Sequence, residues 1–539
     1  MKVTREAATA ANAQAANAQP AKARLDAAEK QRQEKRNNVP LVFGCLMLGM
    51  LMSSLGQMIF STALPTLVGE LGGADKMSWV ITSFLLTMTI GMPVYGKLGD
   101  QMGRKPLYLV AVALFLTGSV IGALAQSMDM MIVARGVQGL GAGGLMIGAQ
   151  AIIADVVPAR DRGRYMGIMG AVFGLSSVLG PLLGGFFTDG PGWRWALWFN
   201  VPLAVITFLM VFFNLQLPKR GSGARLDVPG TVLMTGATSS LILLLTWGGR
   251  DYAWSSPVII CLGIAAAVLA TLFVLVERKA KDPLIPMQLF TVRNFVVTTA
   301  AGTITGVVMF GVLAYMPTYI QMVHGMTPTK AGLMMIPMMA GMIVTATASG
   351  QYVSRTGRYK WFPVAGLLVA ATAVGLMGLF DAHDSLVHLG LVLALMGVGL
   401  GLSMQILVLI VQNSFPISMV GTATASNNFF RQIGGTAGSA IIGSLFTHRV
   451  ADLMGQRVPG ALQELGPQGA KFAQDFQGGG SARLTPEIVD TLPGPLHDAI
   501  TTSYNDALVP VLGAMAPVAV LAALILVLVR QDNLKETIE

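Results

Sequence analysis

The sequence predicts an all-α polytopic membrane protein with about fourteen transmembrane helices, arranged as two six-helix halves plus two inserted helices. Three observations carry this reading. Of 539 residues, 53% are hydrophobic and only 12% charged, about half the charged share of a soluble domain. The apolar residues gather into runs of roughly 20, the length that crosses a bilayer as a helix. Between those runs Lys and Arg alternate: short loops on one side hold many, short loops on the other few.

Composition also excludes several classes. The net charge of +9 is spread over short loops and not gathered on one face, so the partner expected is a lipid bilayer and not nucleic acid. Only Cys45 and Cys261 are present, both inside apolar runs, which argues against a disulfide framework or a Cys-based metal site. No HExxH, no GxSxG and no acid pair at catalytic spacing occurs. We therefore expect no enzyme activity, no cofactor and no metal, and a chain that works as a monomer.

Residues 1–38 are rich in Ala, Gln and Asn and end on Lys30, Arg32, Lys35 and Arg36. They are too long for a signal-peptide n-region, so a cytosolic tail and an uncleaved first span are expected. The first half, 39–218, holds spans at about 41–66, 78–97, 107–126, 130–154, 166–188 and 195–216. Residues 219–290 hold the two inserted spans, about 229–248 and 257–276. The second half, 291–530, holds spans at about 295–319, 329–352, 362–380, 388–412, 422–447 and 508–530, followed by a cytosolic tail, 531–539.

Loops on the tail side carry Lys97, Arg104 and Lys105, then Arg160, Arg162 and Arg164, Lys219, Arg220 and Arg225, Arg278, Lys279, Lys281 and Arg293, and Arg355, Arg358 and Lys360. Short loops opposite carry mainly Lys76, Arg194, Arg250 and Lys330. This asymmetry places both termini in the cytosol of a cell with the protein in its inner or plasma membrane. The longest hydrophilic insertion, 449–506, falls outside, and its Gly478-Gly479-Gly480 run suggests a flexible or partly helical segment, either a spacer or a gate.

Between the second and third spans lies Gly96-Lys97-Leu98-Gly99-Asp100-Gln101-Met102-Gly103-Arg104-Lys105. Glycines permit positive φ and close helix approach, while Asp100 and Arg104 can pair or cap helix ends at the water boundary. Gly96, Gly99, Asp100, Gly103, Arg104 and Lys105 are thus a candidate conformational latch. An echo, Gly350-Gln351-Tyr352-Val353-Ser354-Arg355-Thr356-Gly357-Arg358, follows the tenth span with Val353-Ser354 in place of Gly99-Asp100. It makes the tenth span the copy of the second.

Two soluble-enzyme patterns lose to helix packing. Gly91 to Lys97 has phosphate-loop spacing, but Leu98 stands where Ser or Thr would hold Mg²⁺. Gly139-Leu140-Gly141-Ala142-Gly143-Gly144 fits a dinucleotide pattern but lies inside the fourth span. That span opens with Arg135, and a charge within the membrane is either functional, paired, or snorkelling to the boundary. The fifth span carries Gly174, Gly180, Pro181, Gly184 and Gly185, a bent helix that a neighbour can approach closely.

The segment 96–105 resembles the loop between spans two and three of the major facilitator superfamily. Arg135-Gly136-Val137-Gln138-Gly139 resembles that family's span-four motif, whose Arg is thought to influence proton traffic. The fifth-span Gly-Pro motif resembles the one found in facilitator antiporters, especially drug exporters. Trp193-Arg194-Trp195, Leu226-Asp227-Val228-Pro229-Gly230 and Phe429-Phe430-Arg431-Gln432-Ile433-Gly434-Gly435 look like the fourteen-span drug:proton antiporter branch typified by EmrB and QacA. The resemblance implies two facilitator halves and export of amphipathic drugs or toxic compounds in exchange for protons.

One departure bears on mechanism. Leu55 to Pro65 matches the branch's first-span motif except that Gly56 stands where an Asp is usual. No other Asp or Glu lies mid-span; Asp100 and Asp155 sit near the inner boundary. The usual proton carrier is missing, and so is a buried countercharge for cationic drugs. Candidate transport and coupling residues are Arg135, Asp155, Gln57 and Arg431, with Met and Phe surface holding the substrate. Export of an endogenous lipid or metabolite without proton coupling, or a non-transporting membrane sensor or scaffold, stays open.

Overall fold

The computed structural model describes residues 39–73, 76–217, 226–249, 251–466, 469, 472, 488–489 and 491–534. The expected tail 1–38, the loop cations Lys219, Arg220, Arg225 and Arg250, the run Gly478–Gly480 and residues 535–539 lie outside them. Hydrocarbon offers backbone N–H and C=O groups no partner, so each spanning segment must satisfy its own. Accordingly the described apolar runs are helices, and no strand forms among the described residues.

Among the described residues, twelve helical segments are long and apolar enough to cross a membrane. Two further predicted spans are helical as well: Trp361–Met377, a shorter apolar helix, and the start of the more polar Val420–Glu464.

A first bundle comprises α1 (Val39–Met58), α2 (Phe60–Leu71), α3 (Met77–Met102), α4 (Arg104–Ala123), α5 (Met128–Val156), α6 (Ala159–Asp189), α7 (Arg194–Trp198) and α8 (Asn200–Asn214). Its centre is α5, which packs on α1, α3 and α4. A Cβ at Gly139, Gly141 or Gly143 would overlap the α3 or α4 backbone, so this glycine run is a helix contact. The inserted α9 (Val228–Trp247) and α10 (Pro257–Glu277) pack on each other, and α9 also touches α3. Only 6% of the apolar window of α10 is buried, which leaves it to lipid.

The second bundle comprises α11 (Arg293–His324), α12 (Pro328–Leu333), α13 (Ile336–Thr356), α14 (Trp361–Met377), α15 (Leu386–Asn413), α16 (Val420–Glu464), α17 (Gly494–Gly513) and α18 (Met515–Val527). The bundles meet where α3 lies along α16 and where α6 lies along α13. Two of the predicted loops hold helix. The segment 96–102 is the last turns of α3, and Gly103 alone, at φ +97°, makes the turn into α4. The insertion 449–506 begins and ends as helix: α16 runs on to Glu464 and α17 starts at Gly494. The cause is an apolar face on those polar stretches, for Val458 and Ala461 bury against Leu496, Ile500 and Met322, and Arg457 pairs with Asp506 at 2.5 Å.

Candidate functional site: two latches and a polar band between the bundles

The face of the molecule holding Val39 and Leu534, here the terminal face, is where α3 ends and α16 begins. Asp100, in the last turn of α3, accepts from Gly421 N (3.2 Å), Thr422 N (2.7 Å) and Thr422 Oγ1 (2.9 Å). These are the first N–H groups of α16, which no intrahelical carbonyl can satisfy and which carry the positive end of the helix dipole. Arg104 closes the network: Nη2 donates to Asp100 Oδ1 (2.8 Å) and Ile417 O (3.2 Å), while Nη1 meets Asp155 Oδ1 (2.8 Å) and Ala151 O. One buried guanidinium thus pairs with two carboxylates and ties α3, α5 and the chain entering α16 together. Each charge-assisted contact contributes about 1.5–3 kcal/mol.

The glycines of this segment serve proximity. A Cβ at Gly96 would overlap Ala425 and the Gly421 carbonyl of α16. Gly99 lies beside the Arg104 stem, where a Cβ would sit 3.6 Å from Cγ. Lys105 works elsewhere: its Nζ donates to Phe212 O (2.7 Å) and lies 5.6 Å from the centre of the Phe212 ring, holding α4 to α8.

The echo after the tenth span makes a matching contact on the other side of the molecule. A Cβ at Gly350 or at Gly163 would overlap the carbonyl of the other, and Ser354 Oγ accepts from Arg164 N at 3.3 Å. Gly357, at φ +71°, turns the chain where Gly103 does in the first copy. In each copy, then, the fifth residue accepts from the backbone of the other bundle: Asp100 from two N–H groups in the first turn of α16, Ser354 from one, that of Arg164 in the second turn of α6. The first copy does so with a charge and the second without.

A polar band lies deeper between the bundles. Asn428 Nδ2 on α16 donates to Gln150 Oε1 on α5 (2.8 Å) and to Thr424 O (2.9 Å), and Asn428 Oδ1 accepts from Arg431. Gln412 Nε2 on α15 donates to Gln150 O (3.2 Å). All are buried, yet Gln150 Nε2, Gln412 Oε1, Gln405 Oε1 and Thr424 Oγ1 have no partner. Among the described residues Arg431 bonds only to Asn428, and no carboxylate pairs with it. Arg431 was legible as a charge inside a span; Gln150, Gln412, Thr424 and Asn428 were passed over, although amides and hydroxyls in apolar runs carry the same signal.

Arg135 does not reach the boundary; it is 1% exposed. Its guanidinium lies between the Phe60 and Phe84 rings, 4.5 and 4.1 Å from their centres, and donates to Val80 O (3.2 Å) and Gln138 Oε1 (2.5 Å). Again no carboxylate pairs with it among the described residues. Gly56 is close by: a Cβ there would sit 3.1 Å from the Phe115 ring and 3.7 Å from Phe84. Gln57 is half-buried and makes no hydrogen bond among the described residues.

Helix α6 runs from one bundle to the other. Gly174 faces Met342 of α13, whose sulfur would be 3.3 Å from a Cβ, and Gly180 lies on Met58 at the end of α1. Pro181, one residue later, sits inside the helix, which runs on unbroken to Asp189. Gly184 O accepts from Thr188 Oγ1 (2.6 Å), and Gly185 borders open space. Above this crossing Phe173 and Val178 join Met309, Met316, Met335, Met338 and Met342 in one apolar cluster. Among the described residues no group of three or more His, Cys, Asp or Glu side chains could hold a metal.

Comparison with known proteins places this geometry. An uncharacterised MFS-type transporter of Mycobacterium tuberculosis is 38% identical over 496 residues, covering 92% of this chain and 70% of that protein. The multidrug transporter protein MdtP of Bacillus subtilis is 33% identical over 490 residues, 89% of either chain. Among solved structures, the human organic anion transporter MFSD10 superposes with a TM-score of 0.59 at 16% identity, over 90% of this chain and 99% of that one, a likeness of fold alone. The family model described as Major Facilitator Superfamily matches residues 46–439. A chain matched over that length and folded into apolar helices belongs to the Major Facilitator Superfamily and is a multi-pass membrane transporter, not an enzyme.

Proposed function

We propose that the chain exports amphipathic small molecules across the cell membrane, both termini lying in the cytosol and the units 39–218 and 291–530 rocking against each other about a central path. The observation that carries this is α6 as the crossing helix, with Gly174 against Met342 of the other bundle and Gly180 against Met58. A helix packed on glycine can slide and tilt against its neighbour, and Pro181 supplies a bend where the backbone lacks a donor. The apolar cluster of Phe173, Val178 and adaptable methionines beside it suits greasy, varied substrates. The multidrug role in the name of the Bacillus relative supports the same reading.

With the terminal face held shut by Asp100 and Arg104, the conformation described is closed toward the cytosol. Expression in a host lacking its own pumps should lower dye accumulation. Gly180→Leu and Pro181→Leu should abolish that effect at unchanged protein level, and normal export by both variants would sink the reading.

A second reading concerns the driving force. Exchange for protons needs a titratable group that visits both sides, and Asp155, the remaining candidate, is held by Arg104 at the terminal face. This favours export without a proton carrier in mid-membrane.

A further inference from the structure

We infer that the substrates are amphipathic anions, whose carboxylate or sulfonate is received by Arg431, and that their export is driven by the membrane potential. This rests on the export reading above and narrows it to a substrate class and a site.

Asp100 and Asp155 at the terminal face are matched by two buried guanidinium groups, Arg104 paired with both and Arg162 beside Asp155, and no carboxylate lies at mid-span. Two guanidinium groups, Arg135 and Arg431, are left in the interior, 1% and 5% exposed, with no carboxylate partner among the described residues. A buried charge without a partner is costly, so a site of this kind is completed by a ligand of opposite sign. A cation would meet only like charge there.

The two arginines are not equivalent. Arg135 is enclosed by the Phe60 and Phe84 rings, the Val80 carbonyl and Gln138, all within the first bundle. Arg431 is bound only to Asn428, which itself reaches across to Gln150 of the first bundle. Asn428 links it to two residues whose donors have no partner among the described residues: Gln150 Nε2 and, two turns back along α16, the Thr424 hydroxyl, each on a fully buried residue. A guanidinium, an amide N–H and a hydroxyl are the set that binds a planar oxyanion.

The place for the apolar part is continuous with this. Gln405, two turns along α15 from Gln412, also has an orphan amide oxygen and lies against Gly170 of α6. One turn further along α6 is Gly174, and there the methionine cluster with Met342 begins. A molecule with an acidic head and an apolar body fits that order of groups.

The same assignment supplies a driving force. A cell interior is electrically negative, so an anion leaving it moves downhill. The absence of a carboxylate at position 56 then costs such a carrier nothing.

The test uses the full chain in vesicles loaded with carboxyfluorescein or with ethidium, without a pH gradient. A valinomycin-set potential, negative inside, should speed carboxyfluorescein efflux at least about fivefold over zero potential, and ethidium should not move. Arg431→Gln should remove the effect and Arg431→Lys keep part of it. Asn428→Asp, which keeps the guanidinium and supplies an internal partner, should also remove it. Carboxyfluorescein efflux undiminished in monodisperse Arg431→Gln or Asn428→Asp would overturn the site. Ethidium efflux equal to or above that of carboxyfluorescein would overturn the anion assignment and leave the export reading standing. Movement of neither dye would overturn both.

Discussion

The carboxylate of Asp100 in α3 accepts both the backbone N–H of Thr422 (2.7 Å) and its hydroxyl (2.9 Å), so one side chain of the first bundle caps a helix of the second. A bond of this kind exists only while the terminal face is shut. Its energy therefore enters the equilibrium between the two open states directly.

Asp100→Asn keeps the shape and removes the charge. Loss of about 1.5–3 kcal/mol shifts a two-state balance roughly tenfold or more toward opening at the terminal face. A cysteine placed at Thr424, buried in the conformation described here, reports this. Its labelling by a maleimide from the cytosolic side should rise about tenfold in Asp100→Asn, and an unchanged rate would count against a latch.

The second copy of the segment predicts an asymmetry. Ser354 accepts one N–H, from Arg164 at 3.3 Å, and carries no charge, so Ser354→Ala should alter the same labelling by no more than about threefold. Ser354→Asp puts a carboxylate at the start of α6 and should slow labelling and turnover together by holding the face shut. Equal effects of Ser354→Ala and Asp100→Asn would show the two contacts to be equivalent.

These two contacts also mark how far the sequence can be read. Gly96, Asp100 and Arg104 were recognisable from type and spacing, because a glycine, an acid and a base at a span boundary have few uses. What could not be read was the partner. Gly421 and Thr422 offer only backbone and a hydroxyl to Asp100, 321 and 322 residues away, and Gly163 only a carbonyl to the distant Gly350, so nothing in their residue types announces the contact. How far helix extends into the long insertion was not legible for a related reason. Val458 and Ala461 become a helix face only when Leu496 and Ile500 arrive to cover it. Hydropathy along the chain cannot report a partner distant in sequence.

On the opposite face, the pair of Glu70 and Arg194 gives a pH prediction. Hydrogen bonds from Arg194 and Trp193 hold the Glu70 carboxyl below its ordinary range. The folded value is thus below the unfolded one, so the contribution to stability is fully present above the unfolded value, about 4.3, and fades as pH falls through the lower folded value. With 49% of the Glu70 side chain exposed, solvent screening limits it to about 0.2–1 kcal/mol. Thermal unfolding of wild type beside Glu70→Gln should show a small deficit for the variant above about pH 5 that fades as pH falls through the lowered folded value. A deficit that grows on acidification would contradict this sign.

The last prediction concerns Gly56 and Arg135, which Phe84 touches from either side. A Cβ at Gly56 would lie 3.7 Å from the Phe84 ring, and that ring's centre is 4.1 Å from the Arg135 guanidinium carbon. An Asp at this position would need the Phe115 ring to yield from 3.1 Å, a modest shift for a side chain, and would lie across the Phe84 ring from Arg135, which has no carboxylate partner among the described residues. Pairing would offset much of the cost of a carboxylate in the membrane and would create a group able to exchange protons as the bundles rock. Wild type in sealed vesicles should therefore show substrate movement that survives collapse of the pH gradient, and pH-driven uptake should be gained only in Gly56→Asp. Asp155→Asn, measured alongside, should not change the dependence on pH. Strong pH-driven uptake by wild type that disappears in Asp155→Asn would place the proton on Asp155 and end the uncoupled reading.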